Sequence, residues 1–352
     1  MCKSISLPEL GWKPFFQQQL SLEEWETCLI ARVMAQHRSQ LSLMTELGEH
    51  HLTITANLPT LTVGDWLLLS GENQFVRLLE RSSKFSRKAA GSKVDSQLIA
   101  ANIDTVFIVC SVNNDFNLNR IERYLTLAND ADVEPVIILS KADCCDDPQQ
   151  FVEQIQMLDP MLMVVAVNGL DPVSTSALNY WCQCGKTIAF LGSSGAGKST
   201  LINTLQGYDV QQTGSIREDD SKGRHTTTSR SLHAMPTGSL LLDTPGMREL
   251  QLADCELGLD ATFADINQLA IECRFSDCQH DNEPDCAVRL AIEGGNLEPR
   301  RLQNYRKLKR EQAFNGATLA EKRAQNREFS KSCKAIQNER RKWKKGQEWQ
   351  QN

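Results

Sequence analysis

Gly192-Ser193-Ser194-Gly195-Ala196-Gly197-Lys198-Ser199 satisfies the phosphate-binding pattern G-x-x-x-x-G-K-[ST] at every fixed position. Glycines let a short loop turn its backbone N–H groups onto phosphate oxygens, and a helix starting at the loop's end adds the positive end of its dipole. The flanks suit this. Lys186–Leu191 reads as a short buried strand and Thr200–Leu205 as the first turns of a helix. In that setting Lys198 reaches the β- and γ-phosphates of a nucleoside triphosphate and the Ser199 hydroxyl ligates Mg²⁺. The candidate phosphate-contacting residues are Gly192, Ser193, Ser194, Gly195, Ala196, Gly197, Lys198, Ser199 and Thr200.

Two further stretches bear on which nucleotide is bound. The apolar run Pro135–Leu139 ends in Ser140-Lys141-Ala142-Asp143. A carboxylate at that place accepts hydrogen bonds from guanine N1–H and its 2-amino group, a donor pair that adenine lacks. Taken alone, this is also an ordinary composition for a surface turn. Asp243-Thr244-Pro245-Gly246 after the apolar Ser239–Leu242 strengthens it, with Asp243 holding Mg²⁺ through water and the Gly246 N–H meeting the γ-phosphate. Between them, Lys222-Gly223-Arg224-His225-Thr226-Thr227-Thr228 offers hydroxyls, Thr227 among them, to Mg²⁺ and γ-phosphate.

A second chemistry lies downstream. Cys273, Cys278, His280 and Cys286 form C-x4-C-x-H-x5-C, three thiolates and an imidazole suited to one tetrahedral Zn²⁺ with no open position, hence a structural site. Cys182-Gln183-Cys184 and Cys144-Cys145 lack nearby ligand partners and are read as ordinary thiols; the twelve cysteines otherwise scatter, which argues against a disulfide framework.

The elements that must position these groups follow from texture. At 352 residues the chain is long for one core. Residues 1–27 read as a helical extension anchored by Trp12, Phe15, Phe16 and Trp25. Residues 28–80 hold five short β-like runs, which suit a small OB-type barrel. Residues 81–96 read as a polar, basic linker. Residues 97–258 alternate continuous apolar strands with helices, the signature of a parallel sheet covered on both faces. Residues 259–310 carry the Cys/His cluster among helices, and 311–352 form a basic tail. From Glu298 onward sixteen Lys/Arg face six Glu, while the preceding residues carry 22 against 38 acidic ones. That contrast points to a polyanionic partner met by the tail, where Tyr305, Phe314, Phe329, Trp343 and Trp349 add stacking surfaces. No apolar run approaches the roughly 20 residues of a membrane span, and Met1–Leu20 lacks a signal-peptide layout, so a cytoplasmic protein without a membrane partner is expected.

The base-reading stretch at 140–143 precedes the phosphate loop, whereas ordinary GTPases place it after; one sheet can serve both orders if the chain is circularly permuted. In that order, with Gly192–Ser199, Lys222–Thr228, Asp243–Gly246 and the Cys/His cluster, the chain resembles the circularly permuted GTPases of small-ribosomal-subunit biogenesis (RsgA, also called YjeQ) over roughly residues 28–310. The resemblance implies a multidomain fold: an OB-type barrel, an α/β P-loop GTPase domain and an α-helical zinc-binding domain. It also implies a monomeric GTP hydrolase of late 30S maturation, stimulated by the subunit and bound to its rRNA, with Mg²⁺ accompanying GTP and one Zn²⁺. Two stretches depart from the pattern. Ser140 replaces the usual Asn, and its hydroxyl supplies only part of the bracing to the phosphate loop. Val167-Asn168-Gly169 replaces the usual Ser-Ala, leaving backbone N–H groups of Asn168 and Gly169 to face guanine. Met247 follows Gly246 where Ras-like enzymes orient water with Gln. The resemblance points to His225 as the catalytic group completing the site when the partner is bound; the alternative is that His225 only shapes its loop. Two rival readings are a P-loop ATPase or kinase, and an RNA-binding assembly factor with little turnover.

Overall fold

The computed structural model describes residues 5–88, 96–113, 115–207, 230–243, 252 and 255–316. His225, Thr227, Gly246, Met247 and residues 317–352 lie outside the described residues.

Thirteen strands are described: β1 (Leu29–Gln36), β2 (Gln40–Thr45), β3 (Gly48–Thr53), β4 (Trp66–Leu69), β5 (Phe75–Leu78), β6 (Lys84–Lys88), β7 (Ser96–Ala101), β8 (Thr105–Ser111), β9 (Glu134–Ser140), β10 (Met163–Val167), β11 (Thr187–Gly192), β12 (Arg230–Ala234) and β13 (Leu240–Asp243). The helices are α1 (Pro14–Gln17), α2 (Leu22–Thr27), α3 (Leu118–Asp130), α4 (Gln149–Gln156), α5 (Pro172–Thr175), α6 (Lys198–Gln206), α7 (Glu256–Thr262), α8 (Ala264–Ile271), α9 (Ala287–Glu293) and α10 (Pro299–Gly316).

The central sheet runs β10-β9-β8-β11-β13-β12, with β10 through β13 parallel and β12 antiparallel to β13. β8 and β11 are buried at every position, as continuous apolar strands in a doubly covered sheet should be. Their side chains divide by the period of two. Val106, Ile108, Cys110, Ala189 and Leu191 join the core shared with α3 and the C-terminal helices. Phe107, Val109, Ile188 and Phe190 join Ala196, Leu201, Leu178 and Trp181 on the other face. The chain therefore leaves β8 toward one face and β11 toward the other. A crevice opens between neighbouring strands at such a switch point.

The five N-terminal strands form where expected, laddered in the order β3-β2-β1-β4-β5. β1 and β4 are covered on both sides. Ala31, Val33, Leu67 and Leu69 face Leu41 and Leu43, while Ile30, Trp66 and Leu68 lie under Leu10 and Phe16 of the helical extension. Ser21 starts α2 with a reciprocal capping box to Glu24.

Two features were not anticipated. The end of β1 pairs with β12 (Ala35 opposite Ser231, Gln36 opposite Arg230), fusing the N-terminal strands and the central sheet into eleven strands. The stretch expected as a linker contains β6, which pairs with β7 and turns Phe85 into the core between basic neighbours. At the junction the Arg32 guanidinium, 1% exposed, donates to Leu10 and Asn102 carbonyls and to Thr187 Oγ1, and burial lowers its pKa to about 10.

The C-terminal helices pack on α3. A Cβ on Gly258 of α7 would stand 2.2 Å from the Thr126 carbonyl oxygen, so only glycine permits this approach. Glu122, fully buried in α3, accepts from Arg300 (3.0 Å), Arg301 (2.9 Å) and Asn304 (2.5 Å) of α10.

Candidate nucleotide site and metal centre

The loop 192–197 joins β11 to α6 and turns through positive φ at Gly192 (145°), Gly195 (82°) and Gly197 (92°). At Gly192 an added Cβ would meet the Val109 carbonyl oxygen at 2.4 Å, so the strand packing as well as the turn demands glycine. Lys198 is 8% exposed and its ammonium donates to the carbonyls of Gly192 (2.8 Å) and Ser193 (2.5 Å), arching over the loop. Ser194, Gly195 and Ser199 are exposed; Ala196 is buried and Thr200 half-buried at the start of α6.

The segment 140–143 lies against this loop although it precedes it by about fifty positions. The Ser140 hydroxyl donates to the Ala196 carbonyl at 2.5 Å, and Lys141, left-handed at φ 59°, donates from Nζ to the Gly195 carbonyl at 2.9 Å. Asp143 follows on an exposed helical turn. The 168–169 loop joins the same cluster. The Thr204 hydroxyl of α6 donates to the Gly169 carbonyl (2.7 Å), and the Asn168 side-chain oxygen accepts from the Leu170 N–H (3.0 Å). Asp243 ends β13, the strand beside β11, at the same edge of the sheet. Thus the expected nucleotide-site residues that are described all lie at the C-terminal ends of the parallel strands, and Ser140, Lys141 and Gly169 touch the phosphate loop or its helix.

Sequence reasoning missed Asp115. Its carboxylate accepts from the Ser193 hydroxyl (2.5 Å) and from Arg120 (2.7 Å). Burial pushes the Asp115 pKa up, but the hydrogen bonds from Ser193 and Arg120 outweigh this and hold it below the usual range. The available signal was the Asn-Asn-Asp run at 113–115, just beyond the apolar run of β8.

The second cluster also assembles. Cys273 follows α8 and Cys286 precedes α9. The four ligand atoms of Cys273, Cys278, His280 and Cys286 lie within 4.8 Å of one another. His280 Nδ1 is 3.6 Å from Cys273 Sγ and 3.4 Å from Cys286 Sγ, and those sulfurs are 3.9 Å apart. Burial, with Arg306 nearby, lowers the His280 pKa and favours the neutral imidazole that can ligate. This group could hold a metal ion, and among the described residues no other Cys, His and carboxylate set is so placed; neither Cys182 with Cys184 nor Cys144 with Cys145 joins one.

Residues 78–253 match the family model described as RsgA GTPase. A protein of Vibrio parahaemolyticus named small ribosomal subunit biogenesis GTPase RsgA 2 is 62% identical over 339 residues, 96% of this chain and 95% of its own. The chain belongs to the RsgA GTPase family. A Mesorhizobium japonicum member, named small ribosomal subunit biogenesis GTPase RsgA, is 46% identical over 89% of the chain and 91% of its own length. The crystal structure of YjeQ from Thermotoga maritima superposes with TM-score 0.59 at 23% identity, covering 80% of this chain and 97% of that one. YloQ, titled a circularly permuted GTPase, gives 0.56 at 24% identity over 80% and 93%. At these identities the likeness is one of fold, and it carries the permuted order of elements in this RsgA GTPase. No helix among the described residues is long and apolar enough to cross a membrane.

Proposed function

We propose that this RsgA GTPase hydrolyses GTP on the small ribosomal subunit late in its maturation, as a monomer in the cytoplasm that contacts rRNA. The observation that carries the nucleotide reading is the pair of hydrogen bonds from Ser140 and Lys141 to the phosphate loop. They bring Asp143 beside a triphosphate cradle, so one ligand can meet both. Asp143 would accept from the guanine edge, with the Asn168 and Gly169 backbone on its other side. Lys198 would exchange the loop carbonyls for phosphate oxygens, and the loop N–H groups would hold the β-phosphate.

Ser199, Asp243 and Thr227 fit Mg²⁺ as hard oxygen donors, and the bound ion would neutralise charge developing on the γ-phosphate. His225 and Gly246 are assigned to the γ-phosphate side on family grounds. His225→Ala should reduce subunit-stimulated turnover while leaving GTP binding nearly intact.

The Cys/His group fits Zn²⁺ in particular. Sulfurs at about 2.3 Å and an imidazole nitrogen at about 2.1 Å from a tetrahedral ion stand about 3.8 Å (S to S) and about 3.6 Å (S to N) apart, close to the separations here. The ion would be structural. The basic residues of α10 and the tail would meet rRNA phosphates, and binding should weaken steeply with salt.

Measuring GTP turnover with and without purified small subunits, with ATP as competitor, tests the reading. Subunit-stimulated GTP hydrolysis that ATP does not inhibit is expected. Equal competition by ATP, or no stimulation, would overturn it.

A further inference from the structure

The loops leaving β8 and β11 part to opposite faces of the sheet, and Asp115 bridges the crevice between them by accepting from Ser193 at 2.5 Å. The carbonyl of the same Ser193 receives Lys198. Asp115 thus holds the loop residue on which the phosphate-reaching lysine rests. A bare carboxylate here would repel phosphate; the Arg120 guanidinium at 2.7 Å compensates its charge.

Asp115 lies three residues before α3 and pairs with Arg120 of its first turn, and the other end of this connection is equally specific. Glu122 of α3 accepts three donors from α10. From α10, Arg306 donates to the Gln279 carbonyl (2.8 Å) and pairs with Asp281 (2.8 Å), both inside the Cys/His loop. Two helices and six polar contacts therefore connect the phosphate loop to the metal-ligating loop. This path is separate from the covalent connection through 244–272.

We propose that Asp115 is a positioning residue for the phosphate loop, and that with Glu122 it makes α3 the lever coupling nucleotide occupancy to the C-terminal helices. The proposal rests on the GTP-binding reading and adds the route by which binding is transmitted. Ordering of Ser193 by nucleotide fixes Asp115 and the start of α3. The Glu122 cluster then transfers that order to α10, because the buried Glu122 and Arg301 charges have little solvent to relax into.

The test combines nucleotide titration with amide hydrogen exchange on the full chain, using GDP and a non-hydrolysable GTP analogue. In the wild type, saturating nucleotide should slow exchange in 299–316 and 278–286. Asp115→Ala should weaken nucleotide binding about tenfold, the scale of one charge-assisted hydrogen bond. It should also abolish the slowing at saturation, with little change in Tm. Ser193→Ala should do the same, and the double variant should be no worse than either. Asp115→Asn, which still accepts from Ser193, should recover most of the affinity; this holds the test open should Asp115→Ala fold poorly. Additive losses, a surviving exchange response in Asp115→Ala, or no response in the wild type would each overturn the lever. Failure of the wild type to bind GTP at all would instead overturn the nucleotide reading.

Discussion

Ser140 ends β9 with its hydroxyl donating to the carbonyl of Ala196, 56 positions later in the chain, at 2.5 Å. The side chain is 1% exposed and sits 3.4 Å from where a Cβ on Gly197 would lie. The serine gives this contact between the 140–143 segment and the 192–197 loop a single hydroxyl donor.

Removing that donor has a definite expected size. Ser140→Ala leaves the Ala196 carbonyl without it in a nearly closed space, costing about 1–2 kcal/mol of loop order. GTP and GDP affinities should each fall roughly ten-fold. Titration with a fluorescent guanine nucleotide checks this; unchanged affinity would mean the two segments hold their places without the bond.

Lys198 offers a contrast. Its ammonium already lies over the loop carbonyls of Gly192 and Ser193. Lys198→Ala removes both loop contacts together with the charged donor to phosphate, and should weaken triphosphate binding by about 1.5–3 kcal/mol or more while the surrounding sheet and helices stay folded. Circular dichroism together with nucleotide titration separates the two effects.

Much of this was legible in the residues. β8, β9 and β11 announce themselves as unbroken apolar runs, and the phosphate loop and Cys/His quartet by spacing. What was not legible depends on partners far along the chain. β12, Arg-Ser-Leu-His-Ala, has no strand pattern of its own and is held by ladders to β13 and to β1, nearly two hundred positions away. β6 hides one inward Phe85 among basic residues that read as a linker. Glu122 reads as a solvent-facing helix position until Arg301, 179 residues later, closes over it. Polar burial of this kind leaves no periodic trace.

That buried cluster should be costly to break. Glu122→Ala takes the buried carboxylate away from Arg300, Arg301 and Asn304, leaving Arg301 to Asp265 and the Thr262 carbonyl, and should destabilise the protein by about 3 kcal/mol. The Arg123–Glu311 pair joins the same two helices but is 26% and 27% exposed, so Glu311→Ala should cost under about 1 kcal/mol. Urea denaturation of the two variants ranks them; equal costs would place the helix–helix energy elsewhere.

Metal removal tests the second site. Cys273 and Cys286 cap the segment between α8 and α9, and residues 274–285 between them contain no helix or strand of their own. His280 and Asp285 hold left-handed backbone at φ 62° and 55°, conformations that cost free energy in residues other than glycine. Ligation would offset that cost, since a metal bound only by the folded loop adds its binding energy to folding. Chelation should therefore release one equivalent of zinc, loosen 273–286 and lower the Tm of the C-terminal helices, while the phosphate loop keeps nucleotide. Cys278→Ser should reproduce the chelated state without chelator. Zinc content by atomic absorption and exchange rates over 273–293 measure both. A chelated protein with unchanged exchange there would show that packing of α9 and α10 on α3, not the metal, holds the loop.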